Sequence, residues 1–443
     1  MGLPLQVLPL PSQRYSCHGC GDCCRDFTVQ LSREDLERLE RQRWSERLGE
    51  PVTIEFRGAL FLRQRDDGAC IFLQADGLCR VHGEFGFDEK PLACRIFPFS
   101  FAPQPDDVRV GISFACQSVR ENRGAALGSH LEDLRRFQRN LPQAQRASRV
   151  RLAGSLDASD EEVHAVTSEL ASWLERDDVP FRERLDGLAW FAQQLMAASL
   201  ERVRGARFRE LVQLLVGALP QELAHHPIGA PTKRQGSLLR QAVFARTEDP
   251  KLAAPKRRGK MATVLSQLVR SRRFSRGRGR VPPIGLAWPR GATFEAIKAT
   301  TPPGAGAVAE SGAIEELIVR WLLATLLGGR AWGSGFYGWP MVDGIAALAL
   351  NLAAVGWLAR AHAAAARSVA APTSPPSSAD GGAASLADAR AAIGRIDRSA
   401  GRAPWLGGNA ERLRLEYLAR HDGLRRLVRE SWFGATPASA SRA

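Results

Sequence analysis

No cysteine occurs in the last 327 of the 443 residues, and lysine supplies only six of the 61 cationic side chains. The first absence confines any thiol chemistry to the first 116 residues and excludes a disulfide-stapled architecture for the rest. The second, beside abundant Ala and Gly, reads as the coding bias of a GC-rich genome, so the preference for Arg carries little chemistry. No secretory leader is expected either: Met1 to Pro11 makes a poor signal peptide, without a basic n-region and interrupted by Pro4 and Pro11. Gln6 stands where an N-myristoylation signal needs Ser or Thr. These absences predict a cytoplasmic chain with reduced thiols. There is no internal repeat, and a 44% hydrophobic, 24% charged composition excludes a disordered or fibrous chain.

The net charge of +14 is local. Residues 231–280 hold fifteen Lys and Arg against Glu248 and Asp249, which is +13; the remainder is near neutral. That excludes a uniformly basic nucleic-acid binder. Pro231, Pro250 and Pro255 oppose a regular helix, and so many cations repel one another. Residues 229–260 are therefore predicted to be an exposed, flexible insertion, dispensable for folding. Beyond Phe244 and Phe274 the segment lacks aromatics to stack on bases, so a solvated arm is favoured over a contact with nucleic acid or acidic lipid.

Periodicity predicts an α+β chain: a small irregular Cys-rich metal-binding domain over 1–123, then a mostly α-helical domain over 124–433. In the first, Ser32 caps a helix running to about Leu48. Strand-like runs follow at Val52–Phe56, Ala59–Leu62, Cys70–Leu73 and Val108–Phe114, with turns at Asp66-Asp67-Gly68 and Asp76-Gly77. In the second, helices are predicted from Glu161, over Phe181–Val203, Phe208–Leu219, Met261–Arg273, Ile314–Leu327, Met341–Ala359 and Ala410–Glu430. Residues 367–383, rich in Ala, Pro, Ser and Gly, read as a low-complexity linker. Met341–Ala359 is long enough to cross a membrane, but Asp343 and Asn351 inside it favour a buried core helix, packed beside Ile314–Leu327. No membrane span is expected.

All eight cysteines precede residue 117: Cys17, Cys20, Cys23, Cys24, Cys70, Cys79, Cys94 and Cys116. Cys17-His18-Gly19-Cys20-Gly21-Asp22-Cys23-Cys24 overlaps two Cys-x-x-Cys turns, each able to aim two thiolates at one ion, with glycines where such turns need positive φ. Four ligands on one ion from eight residues is sterically difficult, so partners from elsewhere are expected. Cys79, heading a Cys-x-x-His turn with His82, and Cys94 are available. The predicted cluster gathers Cys17, Cys20, one or both of Cys23 and Cys24, and Cys94, with Cys79 close by. Cys70 and Cys116, taken alone, read as core residues rather than ligands. Soft thiolates select zinc, iron–sulfur or copper(I). Eight could fill two four-thiolate zinc sites or hold one iron–sulfur cluster, and the spacing does not choose.

Other candidates are weaker. Arg95 could hydrogen-bond a cluster sulfur or an anionic substrate, or form a structural salt bridge. His225-His226 has no partner motif. Gly304-Ala305-Gly306, after Pro302-Pro303, does not read as a nucleotide loop because no helix is evident beyond it.

Cys17-x-x-Cys20-x-x-Cys23-Cys24, then Cys70-Ile-Phe-Leu, Cys79 and Lys90-Pro91-x-x-Cys94-Arg95-x-Phe97-Pro98, resemble the YkgJ-type cysteine-cluster family over about residues 14–120. Lys90 replaces the usual Arg. The resemblance implies a zinc- or iron-chelating domain, and its enzymatic relatives are flagellin lysine N-methylases. It would thus imply a protein substrate and S-adenosylmethionine as methyl donor, although the chain has no glycine-rich strand-to-helix loop for that cofactor. Three functions compete: a metal-cluster enzyme modifying protein lysines, a non-catalytic metal-chelating module, and a structural zinc domain joined to a helical interaction domain. A polar pocket between the two parts that reaches the cluster would favour the first; a fully enclosed cluster would favour the third.

Overall fold

The computed structural model describes residues 3–434 except 11, 26, 57, 142–147, 248–259, 284–290 and 370–381. Two short strands, β1 (Leu5–Val7) and β2 (Arg14–Tyr15), precede the first cysteines. Helices α1 (Arg33–Arg41) and α2 (Trp44–Leu48), the hairpin β3 (Thr53–Phe56) and β4 (Ala59–Leu62), and helices α3 (Arg80–Phe85) and α4 (Leu92–Ile96) follow. Then come β5 (Phe99–Pro103), β6 (Val108–Ile112), α5 (Gln117–Arg120), β7 (Ala125–Ala126), α6 (Leu131–Arg139) and the small hairpin β8 (Arg151–Ala153) and β9 (Leu156–Asp157). From there the described chain is helical: α7 (Asp160–Leu174), α8 (Phe181–Ala197), α9 (Ala206–His225), α10 (Lys233–Thr247), α11 (Lys260–Arg276), α12 (Phe294–Ala299), α13 (Val308–Leu327), α14 (Met341–Val369), α15 (Leu386–Ser399), α16 (Asn409–Arg420) and α17 (Gly423–Trp432). The α+β expectation holds.

Local chemistry sets the boundaries. Ser32 Oγ accepts from the Asp35 amide at 3.1 Å while the Asp35 carboxylate accepts from the Ser32 amide at 3.2 Å, a closed capping box. Ser159 with Glu162 and Ser385 with Asp388 repeat it. The helix expected to run to Leu48 is broken in two, because Arg43 takes a left-handed φ of 57°. Asp422, at φ 53°, splits the expected Ala410–Glu430 helix in the same way. Cys70–Leu73 is not a strand: only isolated bridges, Gln64 to Cys70 and Leu73 to Cys79, tie it down. Gly304 does precede a helix, α13, contrary to the sequence reading.

The buried apolar side chains form two clusters. The small one holds Leu31, Leu39, Trp44, Val52, Leu62, Phe72 and Val81, with Cys70, Cys79 and Cys94 packed on it. The large one takes in the helices and also the sheet β1-β6-β5 and Tyr15. The first 123 residues thus contribute to both. Helix α14 is central, packed against α8, α15 and α17. The span Met341–Ser368 is long and apolar enough to cross a membrane (mean hydropathy 1.7), and 89% of its most apolar stretch is buried within the fold. Its polar Asn351 accepts from Arg246 Nε at 2.6 Å. Helix α13 packs chiefly on α7, α15 and β6, rather than beside α14 as expected.

The basic segment is the main correction. Residues 233–247 form a helix with Leu239, Ala242, Val243 and Arg246 buried. Thr232 and Gln235 exchange the two hydrogen bonds of a capping box, at 2.9 and 3.2 Å, just downstream of Pro231. The repulsion argument failed because the counter-charge comes from elsewhere: Glu411 of α16 pairs with Arg246 at 2.7 Å. The exposure expected here lies instead on α11, where Val264, Leu265, Leu268 and Val269 are 48–64% exposed and Arg272, Arg273 and Arg276 face solvent. Residues 248–259 of the expected insertion, and most of the linker, lie outside the described residues. Leu239→Ala is therefore expected to destabilise the protein by about 2–5 kcal/mol, read as a lower denaturation midpoint; a midpoint equal to wild type would restore the dispensable arm.

Candidate metal centre

The Cys17–Cys24 loop is set by two left-handed glycines, Gly19 at φ 63° and Gly21 at φ 69°. Gly21 also lies so close to the next loop that a Cβ there would sit 2.8 Å from the Gly77 carbonyl. This approach places the Asp76-Gly77 turn against the cysteine loop. One helical turn over Asp22–Cys24 follows, and the Cys24 carbonyl accepts from the Cys70 amide at 2.7 Å. Cys70 to Cys79 forms a tight loop closed by Gln74 N to Leu78 O at 2.9 Å and Arg80 N to Phe72 O at 2.8 Å. Cys79 heads α3 and Cys94 sits in α4, whose first amide, Leu92 N, donates to the Asp35 carboxylate at 2.9 Å. The α1 capping residue thereby also positions the helix that carries Cys94.

These elements bring Cys23, Cys24, Cys70, Cys79 and Cys94 to the wall of one cavity of about 1100 Å³. Its far wall comes from the end of α15 and the turn after it: Arg398, Ser399, Arg402 and Trp405. Cys17 and Cys20 are exposed and are not on that wall, and Cys116 is buried at the head of α5 in the large core. Cys116 is more than core filling, because the Ser118 and Val119 amides point at its sulfur. Cys17, Cys20, Cys116 and Cys23 all lie close enough to Tyr15 to act on its hydroxyl electrostatically. Cys23 thus stands between two neighbourhoods of thiols. His82 is exposed, stacks edge-on to Phe87 at 5.9 Å and does not line the cavity. His225 and His226 are exposed at the end of α9.

Burial and neighbouring groups raise Cys23, Cys70, Cys94 and Cys116 above the ordinary thiol range. Burial pushes Cys70 up to about 12, helped by the nearby Cys79 and Cys23. Burial raises Cys94 too, with Cys70 adding to it and Lys90 opposing. Cys23 is raised first by its hydrogen bond with Cys24, then by burial. Burial pushes Cys116 up to about 12. Among the described residues no three His, Cys, Asp or Glu side chains are set to hold an ion as they stand. The five cavity thiols are neighbours, not a finished coordination shell, and an ion that binds must displace protons and draw the sulfurs inward. The donor set fits a soft metal: five sulfurs, with the carboxylate of Asp35 already committed to Ser32, Arg38 and Leu92.

Sequence reasoning missed the far wall entirely. Its local signal, the Ser385-x-x-Asp388 capping box, lay just past the low-complexity stretch. Arg95 was singled out and does line the cavity; it reaches Asp88 at 3.9 Å, while its buried Nε has no hydrogen-bond partner.

Residues 16–121 match the CxxCxxCC family, described as "Putative zinc- or iron-chelating domain". The chain is also similar to Uncharacterized protein MJ0939 of Methanocaldococcus jannaschii, 34% identical over 86 residues, which is 19% of this chain and 29% of that protein. The match thus spans under a third of that relative's length. No solved structure matches.

Proposed function

With residues 16–121 a CxxCxxCC-family domain of the zinc- or iron-chelating kind, we propose that the chain holds an iron–sulfur centre on Cys23, Cys24, Cys70, Cys79 and Cys94, reached through the cavity that the helical part completes. The carrying observation is that five thiols share one open cavity. A structural zinc knot takes four ligands and is closed, leaving no space beside the ion. Five thiols and a cavity that would hold a small molecule suit a centre that meets a ligand better than one that only holds a fold.

Anaerobic purification with metal analysis and a visible spectrum tests this reading. The expected result is a coloured protein with iron and sulfide and a broad band near roughly 400 nm. A colourless protein with stoichiometric zinc would sink the iron reading and leave chelation standing; a protein without either metal would sink both.

Methyl transfer to lysine is the finer reading offered by the resemblance, and the cavity's position between the two parts speaks for an enzyme. Its charge speaks against lysine. Among the described residues, Arg38, Lys90, Arg95, Arg139, Arg398 and Arg402 line it, against Glu34 and Asp35. A lysine side chain, or the sulfonium of S-adenosylmethionine, would enter against that excess.

A further inference from the structure

We propose that helix α11 is a contact for an acidic membrane surface: it lays the apolar half of its exposed stripe into an anionic lipid bilayer and sets the arginines at its other end on the lipid phosphates. The helix lies on such a surface and does not cross it. The proposal is independent of the metal centre.

The apolar residues are gathered, not scattered. Among the described residues twelve large apolar side chains are exposed, and four of them, Val264, Leu265, Leu268 and Val269, fall within six consecutive positions. Single exposed aliphatics need no explanation, but a patch of them marks a contact. Helical spacing puts the four on one face, Val264 beside Leu268 and Leu265 beside Val269. The same rows run on into cations: Leu268 leads to Arg272 and Arg276, and Val269 leads to Arg273. All three arginines are exposed.

The opposite face is docked. Phe274 is fully buried, its ring 5.3 Å from Phe244 and 5.4 Å from Phe294. Arg240 of α10 donates to the Phe274 and Ser275 carbonyls, each at 2.9 Å, and Ser275 Oγ meets Ser237 Oγ at 2.9 Å. These contacts fix which way α11 faces, so the stripe is held outward.

Charge chooses the partner. Residues 260–280 include Lys260, Arg270, Arg272, Arg273, Arg276, Arg278 and Arg280 and no Asp or Glu. Helix α10, on which α11 packs, has no acidic residue either. Arg273, Arg276, Arg278 and Arg280 line one surface pocket. Glu295 of α12 approaches it, its carboxylate accepting from the Gly279 amide at 2.9 and 3.1 Å. Counting Glu248 and Asp249 as well, residues 248–280 hold eleven cations, against three carboxylates with Glu295. The sign of the segment is positive whichever of these pair. Such a surface repels a second copy of itself. Nucleic acid would satisfy the arginines but leave four aliphatic side chains in water, and Phe274, the one aromatic of α11, faces inward. A bilayer of acidic lipid supplies both needs, phosphates at its surface and hydrocarbon just below. Guanidinium forks match phosphate oxygens.

The test is co-sedimentation of the full chain, as purified, with vesicles of phosphatidylcholine alone and of phosphatidylcholine and phosphatidylserine in equal parts. Binding is expected to the mixed vesicles only, and added salt should weaken it. Arg272→Gln and Arg276→Gln should each weaken it by about fivefold. Leu265→Ser combined with Leu268→Ser should weaken it by about tenfold or more. All four positions are exposed, so metal content and melting temperature should stay at wild-type values, which separates a lost contact from a lost fold. Val264→Ser takes the place of the leucine pair should that variant melt early. Equal binding to both vesicles, binding to neither, or wild-type affinity in either set of variants would overturn the proposal. So would tighter binding to a single-stranded oligonucleotide, read by fluorescence anisotropy, than to the mixed vesicles; the arginines would then be a nucleic-acid contact.

Discussion

Serine in place of Cys94 is expected to strip the protein of its metal. Cys94 is the thiol with least alternative: it sits in α4, anchored through Leu92 to Asp35, and faces Cys70, Cys79 and Cys23 electrostatically. Replacing sulfur by a hydroxyl removes a soft donor, and no histidine lines the cavity to take its place. The fall in metal affinity should exceed the roughly 10–100-fold that loss of an outer-shell partner costs. Cys24→Ser should be milder, because Cys23 sits beside it and five thiols exceed four places. Metal content per chain after anaerobic purification is the measurement; Cys94→Ser with wild-type metal would remove Cys94 from the ligand set. Since binding must displace protons from raised thiols, apparent affinity should rise with pH.

The second large effect lies in the core. The Asp397 carboxylate accepts from Ser113 Oγ at 2.7 Å, Ala115 N at 3.3 Å, Trp321 Nε1 at 3.1 Å and Arg330 Nη2 at 2.9 Å. It joins α15, α13 and the chain leaving β6, so it fixes the wall that carries Arg398 and Arg402. Asp397→Ala leaves Arg330 buried and uncompensated, a loss of about 3–5 kcal/mol out of a total on the order of 5–15 kcal/mol. Chemical denaturation reads it, and a loss below about 1 kcal/mol would show that the pair behaves like a surface one. The same group sets a pH dependence. Burial alone would push Asp397 up, but the Arg330 charge and the hydrogen bonds from Arg330 and Ser113 hold it below the ordinary carboxylate range. A carboxyl depressed in the folded state contributes stability that is present above its unfolded value of about 3.9 and lost as pH falls below it. Asp397→Asn should flatten that acid limb.

What could be read in the sequence followed the range of the interactions. The Ser32 cap, the β3–β4 hairpin, the glycine turns at Gly68 and Gly77 and the thiol-bearing loops are local, and all are legible within a few residues. Helix α10 was legible too, in Thr232 and Gln235, but its charge was weighed without Glu411, which arrives from 165 residues away. The far wall could not be read at all. That wall is held by Asp397, whose partners lie at sequence separations from 67 to 284 residues. Periodicity and spacing carry no trace of such pairs.

Two apolar cores imply two stabilities. The small one rests on seven buried side chains, fewer than a lobe of its length normally needs to stand alone, and three of the cavity cysteines pack directly on it. On the proposed reading, a metal bound there is as much a fold-forming component as a chemical one. The large core does not draw on those thiols. Withdrawal of metal is therefore expected to leave a hybrid, with the helices intact and the leading lobe loosened, which a single melting temperature would not describe. Metal supply would then act as a local order parameter, and limited proteolysis with and without chelator is expected to open the leading lobe while sparing the helices.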